Sequence, residues 1–311
     1  MRKACLDAVH MLARHDPRVV FIGSDLGPGV LEGMKKELPE RYFMEGISEA
    51  NVIGMAAGLA MDGYIPYVNT IATFITRRGF EQVALDVCLH HLPVRLIGNG
   101  GGVVYAPLGP THLAVDDFAL MRVLPNMTVM AASDADEMRR LMEQSLDWPD
   151  PIYIRLAKGV DKIISKEANG FAIGKAIPMR MAAAANSVLF ATTGVMTTNT
   201  LAAAEALAAK GIDSTVLHFH TIKPLDVAAL LAYTAKAKAI VTVEEHSLIG
   251  GFGSAIIEVL TDNLVAFPPV KRLGLSDAFS KYYGTQNDLL EANGLMPQQI
   301  AETTEQFLNR L

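Results

Sequence analysis

Cysteine is scarce in this sequence, with only Cys5 and Cys88 among 311 residues. The two cysteines lie far apart, and each falls within an apolar helical pattern. Neither a disulfide nor a cysteine metal site is therefore predicted. We expect both residues to be buried, reduced thiols of a cytoplasmic protein.

Long apolar runs and excess positive charge are also missing. No segment reaches the roughly 18–20 uncharged residues that a membrane-spanning helix needs. The N-terminal stretch MRKACLDAVHMLARHDPR carries scattered charges where a signal peptide would have an apolar core. The formal net charge of −6 gives no reason to expect nucleic acid or an anionic membrane as a partner.

Several common catalytic motifs are absent. The sequence has no P-loop, no G-x-G-x-x-G between a strand and a helix, and no serine in a nucleophile elbow. The glycine cluster Gly98–Gly102 lacks a following helix start and a downstream ribose carboxylate. No group of His, Cys and Asp has metal-ligand spacing. Dinucleotide-binding, hydrolase and metalloenzyme functions therefore have little support, and no metal site is predicted in the chain.

What the sequence does contain is a regular alternation of short apolar strands and helices. Over residues 1–165 this alternation predicts a parallel α/β domain. Residues 166–186 are first polar and glycine-bearing and then rich in alanine, so we interpret them as a linker. The alternation resumes over residues 187–311, which predicts a second, smaller domain. The expected fold is α/β, with two parallel sheets that each form a three-layer domain.

One helix is unusual in its composition. The stretch Phe43–Tyr64 places a single carboxylate, Glu49, at the start of a helix that is apolar on nearly every face. Such a helix is expected to be buried on all sides, with Ser48 as its candidate N-cap. Small residues at helical spacing would let another backbone approach closely. Considered alone, Glu49 would most simply be an ordinary first-turn glutamate.

Candidate site residues follow three successive strands. Glu49 follows one predicted strand, Phe74 and Phe80 lie just after the next, and His112 closes the loop after the third. Since the carboxyl ends of parallel strands meet at one edge of a sheet, these side chains can converge. Aromatic rings beside a buried carboxylate suit a flat heteroaromatic ring that must be stacked and protonated. Singly, each residue is better explained by packing or by an ordinary loop position.

Five motifs, in order, make the chain similar to the C-terminal part of transketolase. They are G-I-S-E with its small-residue helix, T-F-x-x-x-R-x-F-E-Q at Thr73–Gln82, G-P-T-H at Gly109–His112, T-I-K-P-L-D at Thr221–Asp226, and VTVEEHSLIGGFGS at Val241–Ser254. The chain resembles the separate subunit of split transketolases over nearly its whole length. The resemblance implies a thiamine diphosphate pyrimidine-binding domain followed by a transketolase C-terminal-like domain.

The resemblance also implies thiamine diphosphate as cofactor. In the family, the glutamate equivalent to Glu49 hydrogen-bonds a ring nitrogen of the aminopyrimidine and so promotes loss of the thiazolium C2 proton. Phe74 aligns with the residue that stacks on the pyrimidine, and Phe80 is a supporting aromatic. Asp25 aligns with an aspartate near the cofactor, and Ile47 of G-I-S-E is also assigned to cofactor binding.

On the substrate side, the implied reaction transfers a two-carbon ketol unit from a ketose or ketose phosphate to an aldose. His112 would contact substrate oxygens, and Lys158, with Arg155 nearby, aligns with a substrate-binding arginine. Leu108 stands where the family has an aspartate that contacts the acceptor, and Gly100–Gly102 stands where it has a phosphate-binding side chain. We therefore expect an acceptor that differs from the common pentose phosphates.

The family holds the cofactor diphosphate through Mg²⁺ or Ca²⁺ bound to a G-D-G…N motif in a separate domain. No G-D-G occurs here. The resemblance therefore implies an N-terminal, diphosphate-binding partner subunit, an α2β2 assembly and homodimerisation of this chain.

Three alternatives stay open. Within the same superfamily they are a 1-deoxyxylulose-5-phosphate synthase-like subunit and a 2-oxo acid dehydrogenase β-type subunit. The motifs G-P-T-H and T-I-K-P-L-D favour transketolase over the dehydrogenase, and the synthase is normally one longer chain. The third alternative is a non-catalytic scaffold subunit, which would need none of Glu49, Phe74 and His112.

Overall fold

Two sheets organise the chain, one of seven strands and one of five. The structure, a computed structural model, describes residues 1–24, 29, 31–157, 162–281 and 283–311. Asp25 and Lys158, which the resemblance assigned to cofactor and substrate, lie outside these residues.

The first sheet is built from six parallel strands and one antiparallel edge strand. The parallel strands are β1 (Val19–Gly23), β2 (Tyr42–Met44), β3 (Ile65–Ile71), β4 (Arg95–Asn99), β5 (Thr128–Ala131) and β6 (Ile152–Leu156). They lie in the order β5-β6-β4-β3-β1-β2. All residues of β1, β3, β4, β5 and β6 are buried, as expected for parallel strands with helices on both faces.

Helices cover both faces of this sheet. On one face a shared core contains α1 (Arg2–His15), α2 (Glu32–Glu37) and α7 (Ala135–Ser145). On the other face a second core contains α3 (Glu49–Met61), α4 (Ala72–Arg78), the short α5 (Phe80–Gln82) and α6 (Asp117–Arg122). Cys5 and Cys88 are buried and unpaired as predicted, and burial raises the pKa of each thiol to about 12.

The sequence of Phe74–His90 has the pattern of a single helix, but the segment does not form one continuous helix. α4 ends at Arg78, and after α5 the chain forms a π-helical turn over Val83–Cys88. The interruption falls at Gly79, where a Cβ would lie 2.0 Å from Cδ1 of Ile53 in α3. Glycine at this position therefore permits the close packing of α3 against the segment that follows α4.

The second sheet has the strand order β12-β11-β8-β9-β7, with β7 antiparallel to its neighbour. Its strands are β7 (Ile177–Arg180), β8 (Ser187–Thr192), β9 (Ser214–His218), β11 (Ala237–Ser247) and β12 (Val270–Leu275). Its helices are α8 (Met196–Ala208), α9 (Val227–Thr234), α10 (Phe252–Asn263), α11 (Gln286–Ala292) and α12 (Pro297–Leu308). The predicted α/β fold with two largely parallel sheets is confirmed. Among the described residues, no helix is both long enough and apolar enough to cross a membrane.

The two sheets are tied together by the T-I-K-P-L-D motif. Its first three residues form β10 (Thr221–Lys223), which leaves the second half of the chain and pairs antiparallel with β5 of the first sheet. Asp226, the last residue of the motif, accepts hydrogen bonds from the amides of Ala229 at 3.1 Å and Ala176 at 3.0 Å. The motif therefore has a structural role. β7 lies within the predicted 166–186 linker, and the domain boundaries themselves stay a prediction.

Two buried histidines and a glutamate lie where the two halves meet. Nε2 of His218, at the end of β9, is 2.9 Å from Oε2 of Glu137 in α7. Burial alone would raise the pKa of Glu137, but the charge and hydrogen bond of His218 bring it down to about 2. Burial lowers the pKa of His220 to about 4, and its ring stacks on Phe171 with the centroids 4.1 Å apart.

Acidification should destabilise the protein through His220. Because its pKa is about 4 in the folded chain against 6.5 normally, the unfolded chain takes up a proton that the folded chain does not. The stability that His220 contributes is present above pH 6.5 and is lost as the pH falls toward 4. A shift of this size corresponds to about 3 kcal/mol.

Urea denaturation across this pH range measures the effect. His220→Gln should show a clearly smaller loss of stability on acidification than the wild-type chain, whereas the control His90→Gln, at an exposed position, should lose as much as wild type. Equal losses in all three proteins would remove His220 as the acid-sensitive group.

Candidate functional site

The carboxyl edge of the first sheet brings three of the candidate residues together. Glu49 opens α3 shortly after β2, Phe74 lies in α4 directly after β3, and His112 ends a short 3-10 turn in the loop after β4. The ring centroids of Phe74 and His112 are 5.2 Å apart with the planes inclined at 64°. Nδ1 of His112 is also 2.9 Å from the hydroxyl of Thr111. The placement follows from the parallel topology, because successive strand ends meet at one edge.

Glu49 is buried and faces an arginine to which sequence analysis assigned no role. Only 5% of Glu49 is exposed, and Nη1 of Arg78 lies 3.3 Å from its Oε2 and 3.4 Å from its Oε1. The same guanidinium stacks over Phe74, with Cζ 4.3 Å from the ring centroid. Phe74 and Arg78 are four residues apart in α4, which puts them on one face of that helix. The only sequence signal was the arginine of the Thr73–Gln82 motif.

The remaining cofactor residues are placed differently. Ile47 is exposed two residues before Glu49. Phe80 is half-buried and packs against the helical core. Its assignment and that of Ile47 stay predictions.

The Glu49 helix departs from two expectations. Ser48 stands at the N-cap position, but its hydroxyl donates to the carbonyl of Glu45 at 3.2 Å and makes no bond to the helix. The helix is also not buried on every side in the single chain, because Met61 is exposed. Leu85, in the π-helical turn that packs on α3, and Leu89, directly after that turn, are exposed as well. The chain therefore presents an open apolar face along α3, the helix that Glu49 opens.

A layer of buried polar side chains, missed by sequence analysis, lies at the same edge. Ser24 donates to the hydroxyl of Thr70 at 3.0 Å. Asn99 donates to the carbonyl of Thr70 at 3.1 Å and to the side chain of Asn69. In the part of the chain that the structure describes, Oγ1 of Thr73 is buried without a hydrogen-bond partner. The signal in the sequence was the presence of polar residues, Asn69, Thr70 and Asn99, at the ends of the apolar strands β3 and β4.

Arg155, which the resemblance assigned to substrate binding, forms its hydrogen bonds with other groups of this chain. Its Nε and Nη2 each donate to Asp117 at 2.8 Å. Nη1 donates to the carbonyl of Glu245 at 3.0 Å, and Nη2 to that of Ala114 at 2.9 Å. Its guanidinium also stacks over Phe118, with Cζ 3.9 Å from the ring centroid. Arg155 therefore cross-links β6 to α6 and to β11 of the second sheet, and we interpret it as a positioning residue.

Two glycines make room for this cross-link. A Cβ at Gly101 would lie 2.3 Å from the side chain of Arg155, and one at Gly102 would lie 2.4 Å from that of Glu245. The amides of both glycines donate to main-chain carbonyls at 3.0 Å. Neither position has room for a phosphate-binding side chain, which gives a physical reason for this departure from the family pattern. Leu108, the other departure, is exposed.

The described residues contain no group of three or more His, Cys, Asp or Glu side chains that could hold a metal ion. This finding covers neither Asp25 nor Asp161, which lie outside the described residues.

Replacing Arg155 by methionine should destabilise the chain by about 3–5 kcal/mol, because Asp117 would be left as a buried charge without its partner. The adjacent pair, Arg77 with Asp116, provides a matched control at 2.9 Å, with 36% and 37% of the side chains exposed. Arg77→Met should cost no more than about 1 kcal/mol. Urea denaturation measures both, and a loss at position 155 no larger than at position 77 would contradict the cross-link.

Two family models match most of the chain. The model described as "Transketolase, pyrimidine binding domain" matches residues 1–160, and "Transketolase, C-terminal domain" matches residues 179–300.

The individual relatives are of two kinds: transketolase subunits that this chain matches over nearly their whole length, and longer synthases of which it spans about half. The chain is 35% identical to a 6-deoxy-6-sulfo-D-fructose transketolase subunit of Clostridium sp. (strain MSTE9), covering 100% of this chain and 95% of the relative. It is 32% identical to an apulose-4-phosphate transketolase subunit of Phocaeicola vulgatus, covering 99% and 97%. It is also 37% identical to 1-deoxy-D-xylulose-5-phosphate synthase 1 of Geobacter sulfurreducens over 97% of this chain, but it spans only 47% of that relative.

Two solved structures share the fold. A split gene transketolase, described as an inactive beta4 tetramer, matches with a TM-score of 0.89 and 33% identity, covering 98% of this chain and 97% of the other. A transketolase from Campylobacter jejuni matches with a TM-score of 0.77 over 97% of this chain and 46% of its own. At 17% identity, the second shows a common fold alone.

Proposed function

The chain belongs to the transketolase family, and we propose that it is the pyrimidine-binding subunit of a two-subunit, thiamine diphosphate-dependent transketolase. The observation that carries the proposal is the arrangement at the edge of the first sheet. There the guanidinium of Arg78 lies over the ring of Phe74 and reaches the buried carboxylate of Glu49, and His112 is in contact with the same ring. A carboxylate beside an aromatic face suits a ring that must be held flat while one ring nitrogen is hydrogen-bonded.

The residues present fit the pyrimidine end of the cofactor. The space between Phe74 and Glu49 accepts a flat, nitrogen-bearing group, since the guanidinium of Arg78 lies there. Thr73 has a buried hydroxyl oxygen without a hydrogen-bond partner among the described residues. When bound, thiamine diphosphate supplies an electron sink for breaking a carbon–carbon bond of a ketose.

Each residue of the candidate site would then have one role. Phe74 would hold the plane of the ring, and Glu49 would share a proton with a ring nitrogen. His112 would bind oxygens of the substrate. Arg155 would act indirectly, because it binds the carbonyl of Ala114, two residues after His112.

We assign the diphosphate and its Mg²⁺ or Ca²⁺ to an N-terminal partner subunit in an α2β2 assembly. The absence of a G-D-G motif supports this assignment. The open apolar face of α3 is the surface that we assign to subunit contact. Among the described residues, no atom other than the neighbouring backbone of α3 itself lies within 4 Å of where a Cβ of Gly54 or Gly58 would be. This leaves room for another backbone to approach closely. A cytoplasmic location is part of the same proposal.

For the substrate, the two split-subunit relatives are named for a sulfosugar and a sugar phosphate. We therefore propose as donor a ketose that carries an anionic group. The crowded positions Gly101 and Gly102 support an acceptor other than the common pentose phosphates.

Acceptor assays on the complex of this chain with its partner test this part of the proposal. Ribose 5-phosphate should be turned over well below the best aldose of a panel, because the usual phosphate-binding side chain has no room. Comparable turnover would contradict the proposed acceptor preference. Pyruvate with glyceraldehyde 3-phosphate is included in the panel, and efficient release of carbon dioxide would favour the synthase-like alternative.

Glu49→Gln tests the proposed chemistry directly. The variant should fold and assemble normally but slow exchange of the cofactor C2 proton by about 10²-fold or more, because an amide cannot share the proton of a carboxyl group. Proton NMR of the cofactor in the complex measures this exchange. Glu45→Gln, the same change at an exposed carboxylate, is the control. Exchange at the wild-type rate in the Glu49 variant would refute the role, and would favour the scaffold alternative if wild type also exchanges no faster than free cofactor.

A further inference from the structure

Arg78 occupies the place that a ring bound to Phe74 and Glu49 would need. A ring that stacks on Phe74 and hydrogen-bonds to Glu49 must touch both groups at once. The guanidinium of Arg78 does so, with Cζ 4.3 Å from the centroid of Phe74 and Nη1 3.3 Å from Oε2 of Glu49. We propose that Arg78 is a built-in placeholder, which fills the pyrimidine position in the free chain and must move into solvent before the cofactor ring binds. This inference rests on the proposed function.

The guanidinium is chemically suited to stand in for an aminopyrimidine. Both are flat groups in which a carbon is bonded to several nitrogens, and both can donate N–H groups to a carboxylate while stacking on an aromatic face. Phe74 and Arg78 belong to the same face of α4, so the stacking is a local property of that helix. A side-chain group of another shape, such as the compact ammonium of lysine, would not reproduce both contacts.

A placeholder also solves a problem of the free chain. Glu49 is 5% exposed, and burial of a carboxylate without a partner costs free energy. Arg78 supplies the missing hydrogen bonds and opposite charge until the ring arrives. The free chain can therefore keep a buried carboxylate at a site whose ligand is absent.

The contact is nevertheless weak enough to be displaced. Its distances of 3.3 and 3.4 Å exceed the roughly 2.7–2.9 Å of a strong charge-assisted hydrogen bond. The side chain of Arg78 is 52% exposed, so it borders the solvent into which it would move. Partly exposed ion pairs of this kind stabilise a protein only slightly. Displacement should therefore lower ligand affinity by a small factor.

The neighbouring arginine provides a matched control. Arg77 precedes Arg78 in α4, but its guanidinium turns to Asp116, with Nε 3.0 Å from Oδ2 and Nη2 2.9 Å from Oδ1. Replacing either arginine by alanine removes the same charge from the same helix. Only replacement of Arg78 empties the space between Phe74 and Glu49.

The test measures binding of the aminopyrimidine half of the cofactor, 4-amino-5-hydroxymethyl-2-methylpyrimidine, to the full chain by ligand-observed NMR titration. Arg78→Ala should bind this probe about fivefold more tightly than wild type, the factor expected on removal of a competing exposed ion pair. Arg77→Ala should bind it as wild type does. The affinity of Arg78→Lys for the probe should lie between those of wild type and Arg78→Ala, because the charge remains but the flat guanidinium is lost.

The remaining outcomes overturn the proposal. Weaker binding by Arg78→Ala would make the arginine a ligand of the ring, and equal binding would show that it does not compete for the position. Undetectable binding by every variant would show that the free chain has no pyrimidine position for the arginine to fill. General damage to the fold cannot imitate the expected result, because damage does not tighten binding. Phe74→Ala in the Arg78→Ala background should abolish the gain, and a persisting gain would place the probe elsewhere.

A second measurement follows the arginine itself. In nitrogen-labelled chain, the Nε–H signal of Arg78, identified by its loss in Arg78→Ala, should shift on addition of the probe, while that of Arg77 should not. An unchanged Arg78 signal at saturation would overturn displacement. If Glu49→Gln leaves C2 exchange unchanged but Arg78→Ala still tightens probe binding, the proposed function fails and the placeholder stands. If Glu49→Gln slows C2 exchange but Arg78→Ala does not tighten probe binding, only the placeholder proposal is rejected.

Discussion

The buried pair of Arg155 and Asp117 is the interaction on which the arrangement of the two halves depends. Arg155 extends from the first sheet to the carbonyl of Glu245 in the second and to that of Ala114 in the loop that carries His112. A guanidinium with planar, directed donors can make these contacts together, whereas a lysine could not. Burial makes the geometry demanding, because a charge removed from water needs nearly all of its hydrogen bonds. The loop must therefore pass close by, which only glycine at Gly101 permits.

The candidate site shows the opposite electrostatic situation. Asp117 has a buried partner at 2.8 Å, whereas Glu49 faces a half-exposed arginine at 3.3 Å. A carboxylate with a structural role needs a partner that stays hydrogen-bonded to it. A carboxylate that must bind a ligand needs a partner that can leave, and the contact between Arg78 and Glu49 has that character. The open apolar face of α3, the helix that Glu49 opens, is consistent with a half-site that a second subunit completes.

Much of the fold followed from local patterns. The buried strands and the amphipathic or small-residue helices were recognisable because apolar runs of strand length alternate with helical periodicity. β10 was not recognisable, since its three residues acquire their role only by pairing with β5, far away in the chain. The interruption at Gly79 was missed for a similar reason. Its cause is the side chain of Ile53 on another helix, and no helix propensity contains that information.

The sequence by itself determined the family, the order of the elements and the convergence of Glu49, Phe74 and His112 on one sheet edge. These properties depend on motifs and on the rule that parallel strands end at a common edge. Only the tertiary structure decided what each charged group does. It directed Arg155 into the contact between the sheets and placed Arg78 over Phe74. The reason is physical: the task of a charged side chain is set by its burial and by the partners that distant segments bring within hydrogen-bond distance, and neither is written in its local sequence.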